Sequence, residues 1–236
     1  MVFPTAGLFS NMPEPRNQWK MSAGSGSTLT DSAGSADATL NGPSWTSSAD
    51  YVDGWAIDGD GVDDYCQAPG MNDFGSEMDS NFSWAVTIQT TEESEDQRIC
   101  TTLGSDGTRL DLQINPQGFD HGGVRFKLDD TDANTIGIDI DGNVNDGNLH
   151  RIVGTKGGNA GDDFNIYVDN SLGSVNNTNN EGFNNTTDFD RDFTFMARND
   201  GSINTEFPAL MDNFIIWPVE LTAEQVTIDY NNQPWT

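Results

Sequence analysis

The sequence predicts an all-β chain: two antiparallel sheets packed face to face as a sandwich, closed by one short C-terminal helix. Two observations carry that prediction. Short apolar runs alternate with polar residues at a period of two, and clusters of Gly, Asn and Asp separate them. No stretch has the spacing of a long amphipathic helix before the last fifteen residues. The 236 residues are ordinary for one large sandwich and enough to bury a core without staples.

The strands follow in order. Phe82, Trp84, Val86 and Ile88 alternate with Ser83, Ala85, Thr87 and Gln89. Leu110, Leu112 and Ile114 repeat the pattern, then Val124, Phe126 and Leu128, then Ile136, Ile138 and Ile140. Phe164, Ile166 and Val168 continue it, followed by Phe193 with Phe195, and by Leu210, Phe214 and Ile216. The other face of most of these runs is polar, as expected of antiparallel sheets with one buried face. Asp106-Gly107, Asp141-Gly142 and Asp200-Gly201 are turn signals. Thr222 and Gln225 form a capping-box pattern, and Val226 and Tyr230 follow at helical spacing, so a short helix ends near Asn231. Residues 1–20, with Pro4, Pro13 and Pro15, read as an extended arm before a domain over 21–236, in which Ser22 to Ser35 is a long Ser/Gly-rich loop.

The charge is extreme. Asp and Glu number 38 against 10 Lys and Arg, a net of −28, and the lysines are only Lys20, Lys127 and Lys156. The acids are spread between strand positions rather than gathered in a tail. Such a field destabilises a compact chain by self-repulsion, and molar salt screens it to a Debye length of about 3 Å. The expectation is a halophilic protein; an acidic secreted protein is the alternative. With no basic patch, nucleic acid is excluded as a partner. No apolar run approaches the length of a membrane span. The first residues, Met1 to Phe9, are neither basic nor long enough for a signal peptide, so either a signal was removed or export does not use one. Cys66 and Cys100 both fall in strands, and their number leaves pairing open.

Seven fragments, taken together and in order, resemble the laminin-G-like jelly-roll domains of the concanavalin A-like lectin and glucanase superfamily. They are Asp31-Ser32-Ala33-Gly34 with Ala38 to Pro43; Ala56 to Tyr65, like the family's F-D-G-x-D-D-Y hairpin; and Phe82 to Val86. Next come Gly147 to Thr155, like W-H-x-V-A-x-T with Leu149 in place of Trp, and Asn165 to Asp169, like L-Y-V-D-G. Met211 to Trp217 is similar to I-D-E-V-R-I-Y, and Leu221 to Gln225 to the closing L-S-x-E-E-I helix. The resemblance implies a two-sheet jelly roll and one structural calcium near the D-S-x-G turn and the late core strand, here Asp31 and Asp212. Calcium needs six to eight oxygens, which two carboxylates and turn carbonyls could supply.

Other candidate sites are weighed on chemistry. Asp58 to Asp64 lacks the spacing of an EF-hand, since Val62 falls on a ligand position, and reads as a hairpin turn with exposed acids. Glycosidases need two carboxylates flanking one bond. Asp139 and Asp141 share a strand face but sit beside a turn; of the two histidines, His121 and His150, the resemblance puts His150 near the core, where it reads as a packing residue, so no catalytic residue is assigned and an enzyme is not expected. For a glycan, Trp45, Tyr51, Trp55 and Trp235 are the aromatic candidates, beside the Asn-rich stretch Asn176 to Asn185. Asn81, Asn176, Asn184 and Asn185 begin sequons.

The function expected is a non-catalytic adhesion or glycan-binding domain on a virion surface (turret, fibre or decoration) or otherwise extracellular. Its partners would be a cell-surface glycan or glycoprotein and, through the arm, other surface proteins, with homo-oligomerisation open. A structural spacer, or a glycoside hydrolase or lyase on the same fold, are the alternatives.

Overall fold

The structure is a computed structural model that describes residues 11–71, 74–118, 122–183 and 189–236. Residues 1–10 of the expected arm, His121, and the sequons at Asn184 and Asn185 lie outside the described residues. The strands are β1 (Asn17–Trp19), β2 (Thr28–Leu29), β3 (Ala38–Asn41), β4 (Ser44–Ser47), β5 (Trp55–Asp58), β6 (Tyr65–Ala68) and β7 (Phe82–Gln89). They continue with β8 (Gln97–Leu103), β9 (Arg109–Ile114), β10 (Val124–Asp129), β11 (Thr135–Ile140), β12 (Leu149–Lys156), β13 (Phe164–Val168) and β14 (Ser171–Leu172). Last come β15 (Val175–Asn180), β16 (Phe193–Phe195), β17 (Arg198–Asn199), β18 (Ile203–Asn204) and β19 (Leu210–Trp217). Two helices accompany them, α1 (Phe74–Met78) and α2 (Ala223–Asn231); only α2 is expected from the sequence.

Two antiparallel sheets form the sandwich. The first runs β14-β13-β12-β7-β19-β5-β4, with β1 also paired to β19. The second runs β15-β11-β10-β9-β8-β16-β6-β3-β2. The alternating apolar residues meet between them. Trp19 and Trp84 are at most 1% exposed, and Phe214 stacks on Trp84 with ring centroids 6.4 Å apart. Phe126 meets Trp84 edge-on at 5.6 Å. Offset and edge contacts of this kind add to the burial of large rings. Gly154 is required opposite Trp84: a Cβ there would lie 2.2 Å from the indole nitrogen.

Several expectations change. Asn17–Trp19, expected within the arm, pairs with Phe214 to Ile216 and belongs to the sandwich. Asp58 to Asp64 is not a hairpin: β5 lies in the first sheet and β6 in the second, so the acids cap an arch between sheets. Asp141-Gly142 likewise leads from one sheet to the other, whereas Gly107 and Gly201 turn true hairpins with φ of 99° and 109°. In β19 the ladder slips between Asp212 and Ile215, with Asn213 at φ 48°. That bulge moves the core face from Leu210 to Met211, Phe214 and Ile216. Cys66 and Cys100 are free and buried, and each sits opposite Phe195 on one of the two flanks of β16. Two strand spacings, about 9–10 Å, exceed what a disulfide spans.

The outer face of the first sheet is not polar throughout. Ala85, Val153, Ile215 and Trp217 pack with Leu221 and Val226 beneath α2. The helix starts as expected: the Gln225 amide donates to Thr222 Oγ1 at 3.3 Å, and the Thr222 amide donates to Gln225 Oε1 at 2.9 Å. On the outer face of the second sheet, ion pairs, three across strands and one within β10, concentrate the few cations. Arg125 binds Asp139, Arg98 Nε lies 2.9 Å from Asp111, Arg109 pairs with Asp129, and Lys127 Nζ lies 3.3 Å from Asp129.

Candidate functional site

An open groove of about 520 Å³ lies at one end of the first sheet. Three elements and the C-terminal tail build it. The β4–β5 loop supplies Ser48, Asp50 and Tyr51; the end of β7 supplies Gln89; the start of β12 supplies Asn148 and Leu149; the tail supplies Trp235. The loop is a tight turn: the Tyr51 amide donates to Ser48 O at 3.3 Å, Gly54 N to Tyr51 O at 2.9 Å, and Asp50 N to Ser48 Oγ at 3.2 Å. Gln89 stands opposite both Leu149 and Leu210, and its side chain donates to Gly147 O at 2.7 Å. Asp146 accepts from both the backbone and the side-chain amide of Asn148, each at 2.8 Å, which fixes that side of the rim. After α2, Gln233 N donates to Tyr230 O at 3.0 Å and Gln233 Nε2 to Asp229 O at 2.9 Å, and this turn carries Trp235.

The groove is electronegative. Among its described lining residues there is no Lys or Arg. The Tyr51 phenol is pushed up by burial, then by Asp58, Asp50 and Asp212. Behind the rim, His150 is held between two carboxylates, Nδ1 2.7 Å from Asp169 and Nε2 3.0 Å from Asp146. The Asp169 bond foremost raises its pKa, against the pull of burial. The His150–Asp146 bond, foremost, with the two Asn148 bonds, holds Asp146 down to about 2. His150 is thus a polar clamp rather than a packing residue, and it braces the Asn148 side of the groove.

The four aromatic candidates separate into two pairs. Tyr51 and Trp235 meet at the groove. Trp45 and Trp55 instead hold the Ser/Gly-rich loop: Trp45 Nε1 donates to Gly26 O at 2.8 Å, and a Cβ on Gly24 would lie 2.5 Å from the Trp55 ring. Asp31 and Asp212 do not fit one shared calcium. Asp31 accepts from five donors: Gln18 N, Ala33 N and Gly34 N on one oxygen, Asn17 Nδ2 and Ala36 N on the other, at 2.5–3.2 Å. A carboxylate has about four lone-pair sites, so none faces a cation. Asp212 has separate partners, with Oδ2 accepting from Val52 N at 2.6 Å. Asp60, Asp63 and Asp64 bring carboxylate oxygens within 4.8 Å of one another, two of the residues exposed; their arch links the sheets, and Asp64 accepts from Asp60 N at 2.8 Å. Asp139 is fully buried and engaged by Arg125 and Asn177, while Asp141 is exposed and accepts from Asn176, so the two carboxylates do not open onto one shared site.

The polar lining residues Ser48, Asp50, Gln89 and Asn148 escape a reading of the sequence. Only Asn148 carries a signal, since it directly precedes the Leu149-His150-Arg151 strand that is legible on its own.

A family model described as concanavalin A-like lectin/glucanases superfamily matches residues 60–227. No curated protein sequence matches the chain. Among solved structures, the receptor-binding domain of the botulinum neurotoxin C/D mosaic serotype is similar at a TM-score of 0.65 and 14% identity, over 93% of this chain and 51% of that one. Trypanosoma rangeli sialidase, in complex with a difluorinated ketodeoxynononic acid, gives 0.64 and 15%, over 97% of this chain and 35% of the sialidase. Domain 4 of AbnA, a GH43 extracellular arabinanase from Geobacillus stearothermophilus, in complex with arabinotriose, gives 0.64 and 15%, over 92% of this chain and 98% of that domain. This chain therefore spans about half of the neurotoxin domain and about a third of the sialidase. Likeness at these identities speaks for the fold alone.

Proposed function

The chain belongs to the concanavalin A-like lectin/glucanases superfamily, and from that premise we propose that it is a non-catalytic glycan-binding domain whose groove takes a neutral saccharide. The observation that carries this is the meeting of Tyr51 and Trp235 with one carboxylate and two amide side chains in a groove of about 520 Å³. Aromatic faces stack on the C–H faces of a sugar, and amides and carboxylates orient its hydroxyls. The electronegative lining disfavours sialic acids and uronates, because no Lys or Arg stands there to meet a carboxylate. The arabinotriose of the arabinanase domain is a neutral saccharide of the class meant. Asp50 alone among the described lining residues carries a carboxylate, whereas hydrolysis of a glycosidic bond takes two flanking ones.

Trp235→Ala is expected to weaken binding of a neutral oligosaccharide at least about tenfold while leaving the far-UV spectrum unchanged, and Asn148→Ala to weaken it less. Tyr51 is 8% exposed, so Tyr51→Ala tests stability and binding together. A glycan array followed by calorimetry reads both. Wild-type protein that binds no neutral saccharide, or binds one equally well without Trp235, returns the domain to the role of a structural spacer.

In its fuller form the proposal places this adhesive domain on a virion or other extracellular surface in a salt-rich setting. The support is the net charge of −28. Thermal unfolding between about 0.1 M and 3 M sodium chloride should show a melting temperature that climbs with salt. A flat profile removes the halophilic part and leaves the groove untouched.

A further inference from the structure

The groove between Tyr51 and Trp235 is one-sided in the hydrogen bonds it offers. Its two amide side chains spend their nitrogens on the protein. Gln89 Nε2 donates to Gly147 O at 2.7 Å, and Asn148 Nδ2 donates to Asp146 Oδ2 at 2.8 Å. A carbonyl and a carboxylate can only accept, so each amide has its orientation set, and its own carbonyl oxygen points away from that bond. Ser48 likewise gives its hydroxyl proton to Asp50 Oδ2 at 3.1 Å and accepts from Asp50 N at 3.2 Å. Among the described residues nothing donates to Gln89 Oε1, Asn148 Oδ1 or Asp50 Oδ1. Asp50 and Asn148 are exposed, and Gln89 and Trp235 are half-buried. Three acceptor oxygens, one of them on a carboxylate, thus stand beside two aromatic rings, with no Lys or Arg among the described lining residues. His150, behind the rim, is already answered by Asp146 and Asp169.

We propose, on the premise that the groove is a saccharide site, that the saccharide it prefers carries a free amine: an amino sugar whose ammonium lies against Asp50, between the Gln89 and Asn148 oxygens. A neutral sugar fills the stack on the rings and the hydroxyl contacts; an amino sugar fills those and answers the Asp50 charge as well. An ammonium brings three N–H donors where a hydroxyl brings one, which suits a lining whose vacant positions are acceptors. Its bonds are charge-assisted and about twice as strong as neutral ones. The faces of Tyr51 and Trp235 attract a positive charge rather than repel it. The Tyr51 phenol, pushed up by burial and then by Asp58, Asp50 and Asp212, stays neutral beside such a ligand. N-acetylation removes the charge, leaves a single N–H and adds bulk, so an acetamido sugar loses the advantage. The net charge of −28 draws any cation weakly, but that field reaches only about 3 Å in 1 M salt, against about 10 Å in 0.1 M. A contact between ammonium and Asp50 outlasts that screening, and this separates a built site from general attraction.

The test is titration of the full chain, followed by tryptophan fluorescence and ligand-observed NMR, with three matched sets of methyl glycosides. These are glucose, galactose and mannose, each as the hydroxyl, the 2-amino and the 2-acetamido sugar. In the set that binds, the amino sugar should bind about tenfold tighter than both its partners at about 0.1 M sodium chloride. The preference should persist at about 1 M, with far-UV circular dichroism verifying the fold at both salts. Asp50→Asn, at an exposed position, should bring the amino sugar down to its hydroxyl partner. Asp53→Asn removes the same charge from an exposed neighbour outside the lining and should keep the preference. Hydroxyl sugars that bind as tightly as their amines overturn the amine and leave the groove to neutral saccharides. A preference that vanishes at 1 M, or that survives Asp50→Asn, is attraction by the overall charge and overturns it too. A chain that binds none of the sugars overturns it together with the saccharide groove itself.

Discussion

Asp212→Asn should stabilise the protein at pH 8 and remove most of the fall in stability between about pH 4 and pH 7. Asp212 is 1% exposed; its Oδ2 accepts from Val52 N at 2.6 Å, and its Oδ1 has no hydrogen-bond partner. Burial raises its pKa to about 7 from an ordinary 3.8, against the pull of the Val52 amide and of Arg151. The sign follows from proton counting. Between those two values the folded state holds a proton that the unfolded state has released, so stability is complete below about pH 4 and drains away as pH rises through 7. Three units at about 1.4 kcal/mol each give an upper bound of about 4 kcal/mol. Asparagine keeps a carbonyl for the Val52 N–H and carries no charge to desolvate. His150 acts in the same direction. Its raised pKa makes its contribution full below about pH 6.5 and lost above the folded value, so a smaller slope near neutrality should survive in the variant. Urea unfolding at five or six pH values reads this directly. An unchanged slope with Asn at 212 would mean that Asp212 is ionised and solvated in the folded state.

The contrast between Asp212 and Asp31 shows where the sequence stops being informative. Both are nearly buried aspartates in fragments legible as strand or turn, and a resemblance joins them as one metal site. Five donors hold Asp31 below its ordinary pKa even though burial opposes them; one amide leaves Asp212 to be governed by burial. Donor count depends on the turn after Asp31 and on the bulge after Asp212, and period-two reasoning is blind to both. The central strands were legible because alternation over six or eight residues reports directly on a two-faced sheet: β7, β9, β10, β11 and β13 fall where Phe82, Leu110, Val124, Ile136 and Phe164 begin their runs. β1, β2, β14 and β15 were not, being short or polar and defined by their partners. The groove was half legible. Tyr51 and Trp235 could be named as aromatic candidates, but nothing local joins residues so far apart in the chain, and Gln89 and Asn148 look like any strand end.

Asp229→Ala is expected to cost about 3–5 kcal/mol, the range for removing one partner of a buried ion pair. Arg151 is 1% exposed and grips Asp229 with two bonds, Nε to Oδ2 at 2.8 Å and Nη2 to Oδ1 at 2.9 Å, while Nη1 donates to Asn213 O at 2.8 Å. The pair pins α2 to β12 and to the bulge of β19. Removing the carboxylate strands a guanidinium beneath the helix, which is far costlier than losing one more acid from the surface of so acidic a chain. Replacing both partners together, Arg151→Met with Asp229→Leu, should recover much of the loss, since apolar pairs of similar volume often match a buried ion pair. Urea unfolding separates the cases: a cost under about 1 kcal/mol for the single variant, or a double variant weaker than the single, would show the pair to be solvated. The consequence reaches the groove, because Gln233, which anchors the tail through Asp229 O, precedes Trp235 by two residues. A loosened α2 carries that ring away from Tyr51, so Asp229→Ala should also weaken saccharide binding under conditions in which the sandwich remains folded. In a chain with 38 acidic residues, Asp229 is thus an acid hidden under a helix and answered by an arginine, and it ties the end of the chain to the groove.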